Sequence, residues 1–242
     1  MNKILKVDNL SKNYHTIDGE TMAIENLSFD VNCNEILAIV GPSGCGKSTL
    51  LGILADLENK TSGEIIKNNT KIGYMLQTDS LFPWLTVLEN SCIGIKDKNN
   101  TDNVIRLLDK YGLSEFKNSY PSSLSGGMRQ RVALIRTLGI NPDILLLDEP
   151  FSALDYQTRL ALSNDLYQII KNEGKTAILI THDLGEAISM ADRVIVLTKR
   201  PCKVKNIYEI KLDNKTNPID NRKDKNFNYY YDMIWRDLDV HI

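Results

Sequence analysis

The chain has 242 residues, 42% of them hydrophobic, enough for one large domain or one domain carrying an inserted lobe. Its 29 lysines and arginines nearly balance 31 aspartates and glutamates, and no long basic run is present, so nothing in the charge calls for nucleic acid. The four cysteines show no CxxC spacing and read as free thiols of a reducing compartment. Met1–Asp8 lacks a signal-like apolar run, and the longest apolar stretches are strand-sized rather than membrane-spanning.

Ile4, Val7 and Leu10, then Ile24, Leu27, Phe29 and Val31, alternate with polar residues and predict antiparallel strands around a polar turn at Asp18-Gly19. Tyr14 falls in what reads as a loop, either as a surface aromatic or as a planar ring able to stack on an adenine base. Ile36–Val40 is an unbroken apolar run, the pattern of a strand buried on both faces of a parallel sheet. It enters Gly41-Pro42-Ser43-Gly44-Cys45-Gly46-Lys47-Ser48-Thr49, and Leu50, Leu51, Ile53 and Leu54 continue at helical spacing. Strand, glycine loop and helix in this order form a phosphate-binding loop. The glycines let backbone N–H groups turn inward, and the helix adds its positive end. Lys47 brings a charge to the β and γ phosphates, and Ser48 offers a hydroxyl to Mg²⁺. Cys45 reads as a small side chain tolerated in the turn, in preference to a modifiable thiol.

Ile72-Gly73-Tyr74-Met75-Leu76 leads to Gln77, by itself an ordinary polar loop residue. From about 89 to 140 the chain turns helical, with Val104, Leu107, Leu108 and Tyr111 on one face of a helix over Thr101–Leu113. Val132, Ile135 and Leu138 share a face of a second helix over Met128–Ile140. A second glycine-rich turn, Leu124-Ser125-Gly126-Gly127-Met128, precedes that helix, and Ser125 can cap it.

Ile144–Leu147 predicts a strand ending in Asp148-Glu149. Ligands of open α/β sheets bind beyond the carboxyl ends of strands, so both carboxylates are expected to face the phosphates rather than form an exposed acidic turn. Asp148 suits a hard dication, directly or through water, and Glu149 can polarise an attacking water. A helix over Tyr156–Glu173 stops at Gly174. The strand Thr176–Ile180 carries His182 to the same edge, where it can hydrogen-bond a γ phosphate or a water; a lone histidine is more often structural, and this position favours function. A short helix over Leu184–Ala191 and a strand over Arg193–Leu197 follow. Lys211–Asn228 reads as a solvated connector, and Tyr229–Leu238 as a closing helix.

Taken together, these motifs resemble the ATP-binding subunits of ABC transporters over about residues 4–200. Gly41–Thr49 matches the Walker A loop, Leu124–Met128 the signature turn, and Ile144–Glu149 the Walker B strand. Ser152-Ala153-Leu154-Asp155 matches the D-loop, His182 the switch histidine, Gln77 the Q-loop glutamine and Tyr14 the adenine-stacking aromatic. The resemblance implies an α/β P-loop NTPase core with an N-terminal antiparallel β subdomain and an inserted helical subdomain. On that basis 1–210 is the ATP-binding domain, and 211–242 a polar connector and C-terminal helix. It implies Mg-ATP hydrolysis with Glu149, His182 and Gln77 as catalytic residues and Ser48, Gln77 and Asp148 near the metal. Nucleotide contacts would come from Tyr14, from Gly41, Pro42, Ser43, Gly44, Cys45, Gly46, Lys47, Ser48 and Thr49, and from Ser125, Gly126, Gly127 and Asp155. Ser125, Gly126 and Gly127 would meet the nucleotide of a second copy in a head-to-tail homodimer. The family's integral-membrane permease and, indirectly, an extracytoplasmic solute-binding protein would be partners, at the cytoplasmic face of the membrane.

Pro83-Trp84-Leu85-Thr86-Val87, Phe151–Asp155 and Ile234-Trp235-Arg236-Asp237-Leu238 resemble the nitrate, sulfonate and taurine branch of importer ATPases, which includes carriers of thiamine-precursor pyrimidines. Two further readings compete. A soluble ABC-type ATPase acting on DNA or ribosomes usually carries a coiled-coil insert, a second nucleotide unit or a basic face, and none is visible. A nucleotide-sensing regulator without turnover would not need Glu149 and His182. The chain departs from the family pattern at Leu138-Gly139, where alanine is common, and at Lys199-Arg200-Pro201-Cys202, which replaces an Arg-Pro-Gly turn.

Overall fold

The computed structural model describes residues 2–16, 19–67, 69–95, 98–152, 154–213 and 215–238. The chain opens with β1 (Lys3–Thr16) and β2 (Gly19–Asn32), then β3 (Ile36–Val40), α1 (Lys47–Leu54), β4 (Ser62–Lys67) and β5 (Ile72–Met75). A helical stretch follows, with α2 (Val87–Ser91), α3 (Lys98–Lys110) and α4 (Gly126–Gly139). Alternation resumes through β6 (Ile144–Asp148), α5 (Tyr156–Asn172), β7 (Thr176–Ile180), α6 (Leu184–Met190), β8 (Arg193–Leu197) and β9 (Val204–Glu209), and α7 (Pro218–Asn221) and α8 (Phe227–Asp237) close the chain.

A three-stranded antiparallel sheet has the order β2-β1-β4, and a six-stranded sheet the order β5-β6-β7-β3-β8-β9. The pairs from β5 through β8 are parallel, and β9 runs antiparallel at the edge. Successive side chains of a strand point to opposite faces. Over the central strands β6, β7 and β3 both faces are dry. Ile36, Ala38 and Val40 join Leu145, Leu147, Ala177 and Leu179 in a core beneath the helices α2 to α6 and α8. Leu37 and Ile39 join Ile144, Leu146, Ile178 and Ile180 in a second core against α1 and the antiparallel sheet. That double burial is why the central strands read as continuous apolar runs.

The structure departs from the sequence expectation in three places. Tyr14 is not in a loop; it lies on β1, paired with Thr21 of β2. The strands β4 and β9 have no counterpart among the expected elements. The segment after Lys211 is no solvated connector. It holds α7, whose Asn221 is 1% exposed and donates to the Ser189 carbonyl, and the Lys215 ammonium reaches the Ala191 carbonyl and Asp192. Among the described residues no helix is long and apolar enough to cross a membrane.

Gly63 joins β4 to β1 where no side chain fits. Its φ is +90°, and a Cβ there would lie 2.4 Å from the Asn9 carbonyl oxygen. Backbone must move to accept even alanine. Gly63→Ala is expected to destabilise the fold by about 3 kcal/mol, lowering the melting midpoint by roughly 6–12 °C. An unchanged melting curve would contradict this account of the β1–β4 seam.

Candidate functional site

β3 delivers the glycine loop to the carboxyl edge of the six-stranded sheet, where α1 begins. Gly46, just before the helix, has φ +125°, and a Cβ there would press on the Ala23 carbonyl at 3.2 Å. No side chain caps this helix start. Its first N–H groups therefore remain available to an anion, with the positive end of the helix behind them. Lys47 is buried, and its ammonium donates to the carbonyls of Gly41 (2.8 Å) and Pro42 (3.0 Å). An ammonium held by neutral carbonyls can exchange them for phosphate oxygens, which bind it more strongly. A cleft of about 330 Å³ opens here, bordered by Lys47, Ser48, Thr49, Gln77, Glu149 and Arg200.

β6 and β7, adjacent and parallel, bring the acidic pair and the histidine to this edge. Asp148, the last residue of β6, is 7% exposed, lies beside Ser48 and accepts a hydrogen bond from the Tyr74 hydroxyl (3.2 Å). Burial dominates its titration and, with the Glu149 charge, pushes the carboxyl upward; the Ser48 and Tyr74 hydroxyls oppose this, and the Lys47 charge offsets it least. Tyr74 is itself pushed up, by burial and then by the neighbouring Asp148 charge.

Glu149 takes a left-handed backbone, φ 43°, unusual for a residue with a side chain and worth about 1–3 kcal/mol of strain. Its N–H donates to the Ile180 carbonyl at 2.9 Å, which anchors the bend on β7. The bend turns the carboxylate toward two partners. Gln77 Nε2 donates to Glu149 Oε2 at 3.1 Å and lies 3.3 Å from Ser152 Oγ, and His182 Nδ1 lies 3.3 Å from the same Oε2. A carboxylate oriented from two sides can accept a proton from water.

The second glycine turn faces a different cleft, of about 400 Å³, bordered by Ser125, Gly126, Gly127, Leu154, Asp155 and Thr158. Ser125 caps α4 by accepting from Met128 N at 3.3 Å, and Asp155 caps α5 by accepting from Thr158 N at 3.0 Å. The hydrogen bonds from Thr158 hold the Asp155 carboxyl below its ordinary range. Among the described residues none borders both clefts. Ala153, in the middle of the expected D-loop, lies outside the described residues.

Tyr14 reaches the site from β1. Its hydroxyl donates to Glu58 and lies 3.2 Å from Thr49 Oγ1, while the Lys12 ammonium sits 4.7 Å from its ring centre. Three neighbours of the site were not singled out in the sequence: Tyr74 beside Asp148, Glu58 beside Tyr14, and Arg200, which donates to the Gly44 carbonyl at 2.8 Å. Arg200 left a trace there, in the altered turn that contains it, and Ser152, beside Gln77, had entered with the expected D-loop.

The family model for ABC transporters matches residues 24–152, which include both glycine turns and the acidic strand end. The chain belongs to the ABC transporter ATP-binding family. It is 40% identical over 247 residues to the uncharacterised ABC transporter ATP-binding protein YtlC of Bacillus subtilis, covering 97% of this chain and 95% of that one. It is 41% identical over 217 residues to the aliphatic sulfonates import ATP-binding protein SsuB of Bacillus cereus, covering 86% of each. Among solved structures it resembles a dimeric post-hydrolysis state of the ATP-binding cassette MJ0796 bound to ADP and Pi, with TM-score 0.74 and 31% identity over 86% of this chain and 99% of that one. As a member of the ABC transporter ATP-binding family, the chain is an ATP-binding ATPase subunit whose hydrolysis is coupled to transport.

Proposed function

We propose that this subunit energises import of a small solute by closing two copies of itself around ATP. The observation that carries the reading is the division of the site: the phosphate loop and the Ser125–Gly127 turn border separate clefts with no described residue in common. A triphosphate seated on one cleft of one copy would be completed by the other cleft of its twin, and the dimeric MJ0796 cassette supports that assembly. Tyr14 would stack on adenine, its hydroxyl steadied by Glu58. The residues Gly41 to Thr49 would cradle the phosphates, with Lys47 on the β and γ oxygens. Ser125, Gly126, Gly127 and Asp155 of the second copy would face the γ phosphate.

Magnesium fits the donor set. Asp148 is a buried carboxylate whose charge is penalised by desolvation and only partly offset by its hydroxyl neighbours, so a dication would stabilise it. Among the described residues no three His, Cys, Asp or Glu side chains converge as a ready metal site. Asp148, Ser48 and Gln77 would therefore hold the ion together with water and phosphate oxygens. When bound it would supply charge neutralisation at the phosphates. Glu149 would accept a proton from the attacking water, held in place by Gln77 and His182.

The ATP-binding unit would span 1–210, with 89–140 as the helical insert that faces a permease and 211–242 as an appended segment. An extracytoplasmic solute-binding protein would choose the cargo, and the subunit would sit peripherally on the cytoplasmic membrane face. The likeness to a sulfonate importer subunit favours a sulfonate, taurine, nitrate or thiamine-precursor-like solute. Affinity capture of the tagged chain from detergent-treated membranes is expected to bring down an apolar integral membrane protein. A strain lacking the chain is expected to lose growth on one of these solutes as sole sulfur, nitrogen or precursor source. Recovery of ribosomes or DNA complexes, with growth intact on every source, would refute the importer reading.

A further inference from the structure

Two of the four free cysteines lie buried in and behind the phosphate loop. Cys45 stands in the middle of the phosphate loop, 1% exposed, with its sulfur 4.0 Å from the Lys47 ammonium. Cys202 follows Arg200-Pro201 and is 0% exposed. Its backbone is pinned to β2 on both sides: Cys202 N donates to the Ala23 carbonyl at 2.9 Å, and Glu25 N donates to the Cys202 carbonyl at 3.0 Å. The side chain of Cys202 leans on the loop, its Cβ only 3.5 Å from where a Cβ of Gly46 would stand. Both cysteines belong to one buried cluster, and each thiol lies close enough to the other to shift its titration.

We propose that Cys45 and Cys202 form a reversible disulfide that withdraws the phosphate loop from ATP when the reduced, nucleotide-free subunit meets peroxide. The pair is chemically differentiated. The neighbouring Cys202, assisted by the Lys47 charge, holds the Cys45 thiol below its ordinary range, while the proximity of Cys45 and burial push Cys202 up. Cys45 is thus the thiolate and Cys202 the resolving thiol. In the first step the Cys45 sulfur attacks one peroxide oxygen; the O–O bond breaks, the sulfur is oxidised to a sulfenic acid, and hydroxide leaves. In the second step the Cys202 sulfur attacks the sulfenic sulfur; the S–O bond breaks, the S–S bond forms, and the hydroxyl leaves as water with the Cys202 proton. Burial selects the oxidant class, because peroxide is close to water in size, whereas a bulky disulfide cannot reach either sulfur.

The consequence follows from the bond length. A disulfide draws the sulfurs to about 2.05 Å, well inside the non-bonded contact of two sulfur atoms. Cys202 is fixed to β2 by two backbone hydrogen bonds, so Cys45 must yield, and its loop moves with it. An anion cradle built from consecutive N–H groups tolerates little displacement. The loss of affinity rests on the phosphate-loop reading above, whereas the bond itself does not.

The test uses the purified full chain, reduced and free of nucleotide, then exposed to hydrogen peroxide. Peptide mapping after alkylation is expected to recover a Cys45–Cys202 linked peptide, two hydrogens lighter than the reduced pair. ATP affinity is expected to fall about tenfold or more, and dithiothreitol to restore both. Cys202→Ser and Cys202→Ala, which leave Cys45 in place, are expected to bind ATP normally when reduced. Under peroxide, Cys45 in these variants is expected to pass to the sulfinic acid, which dithiothreitol does not reverse. Normal ATP binding without a linked peptide would overturn the disulfide, and a linked peptide with unchanged affinity would overturn its effect on the loop. A reduced wild-type chain that does not bind ATP would instead overturn the phosphate-loop reading, whatever the cysteines do.

Discussion

Glu149→Gln is expected to cut ATP hydrolysis by about 10²- to 10⁴-fold while leaving ATP binding intact. The amide has the shape of the carboxylate but cannot accept a proton at the pH of the assay. Its position would be preserved, because the backbone bend at φ 43° and the bond from Glu149 N to the Ile180 carbonyl do not depend on the side chain. Gln77 and His182 would still flank it. The cradle of N–H groups and Lys47 is untouched, so binding persists. Removing a negative charge from the edge that faces the phosphates also favours retention of the triphosphate. The variant is therefore expected to accumulate as a nucleotide-bridged pair, seen as a doubled mass by light scattering in Mg-ATP and lost on dilution into ADP. Phosphate release measured with the permease present separates the outcomes: turnover at the wild-type rate would remove Glu149 from the role of base.

The elements that were legible in the sequence are those whose burial is extreme. Ile36–Val40, Ile144–Leu147, Thr176–Ile180 and Arg193–Leu197 read as strands because the six-stranded sheet is covered on both faces, and dry faces leave no polar positions to confuse the pattern. The edge strands lacked that signal. β4, Ser62–Lys67, alternates exposed and half-buried positions, and β9, Val204–Glu209, has no fully buried residue. Tyr14 read as a loop residue because Ser11-Lys12-Asn13 before it are polar, yet the pairing of β1 with β2 continues through them and past Tyr14. The tail misled for a related reason. Asn221 and Lys215 look like solvated side chains, but they satisfy the Ser189 and Ala191 carbonyls at a sequence distance no local pattern reveals. That Asp148, Glu149 and His182 would share one sheet edge was expected from the strand ends that carry them. The bond from Gln77 to Glu149 was not: they are 72 positions apart, and the adjacency of β5 and β6 brings them together.

Lys47→Ala is expected to weaken ATP binding about a hundredfold, since it removes the charge-assisted contact to the phosphates from a cleft with no other buried cation on the loop. Isothermal titration of the isolated chain measures this, and ordinary affinity would remove the phosphate-loop reading. A second variant probes the other cleft without harming the helix it begins. Ser125→Asp keeps a side-chain acceptor for Met128 N, and aspartate caps as well as serine. It also sets a negative charge where the proposed dimer brings a γ phosphate, so it is expected to bind ATP normally as a single chain and to fail in dimerisation and turnover. The two lesions would then lie on opposite halves of each composite site. A pair made from one Lys47→Ala chain and one Ser125→Asp chain has one site carrying both lesions and one site carrying neither. Mixing the two inactive variants with the permease is therefore expected to restore part of the hydrolysis that neither shows alone. If each chain completed its own site, mixing would restore nothing, because every site would still carry a lesion.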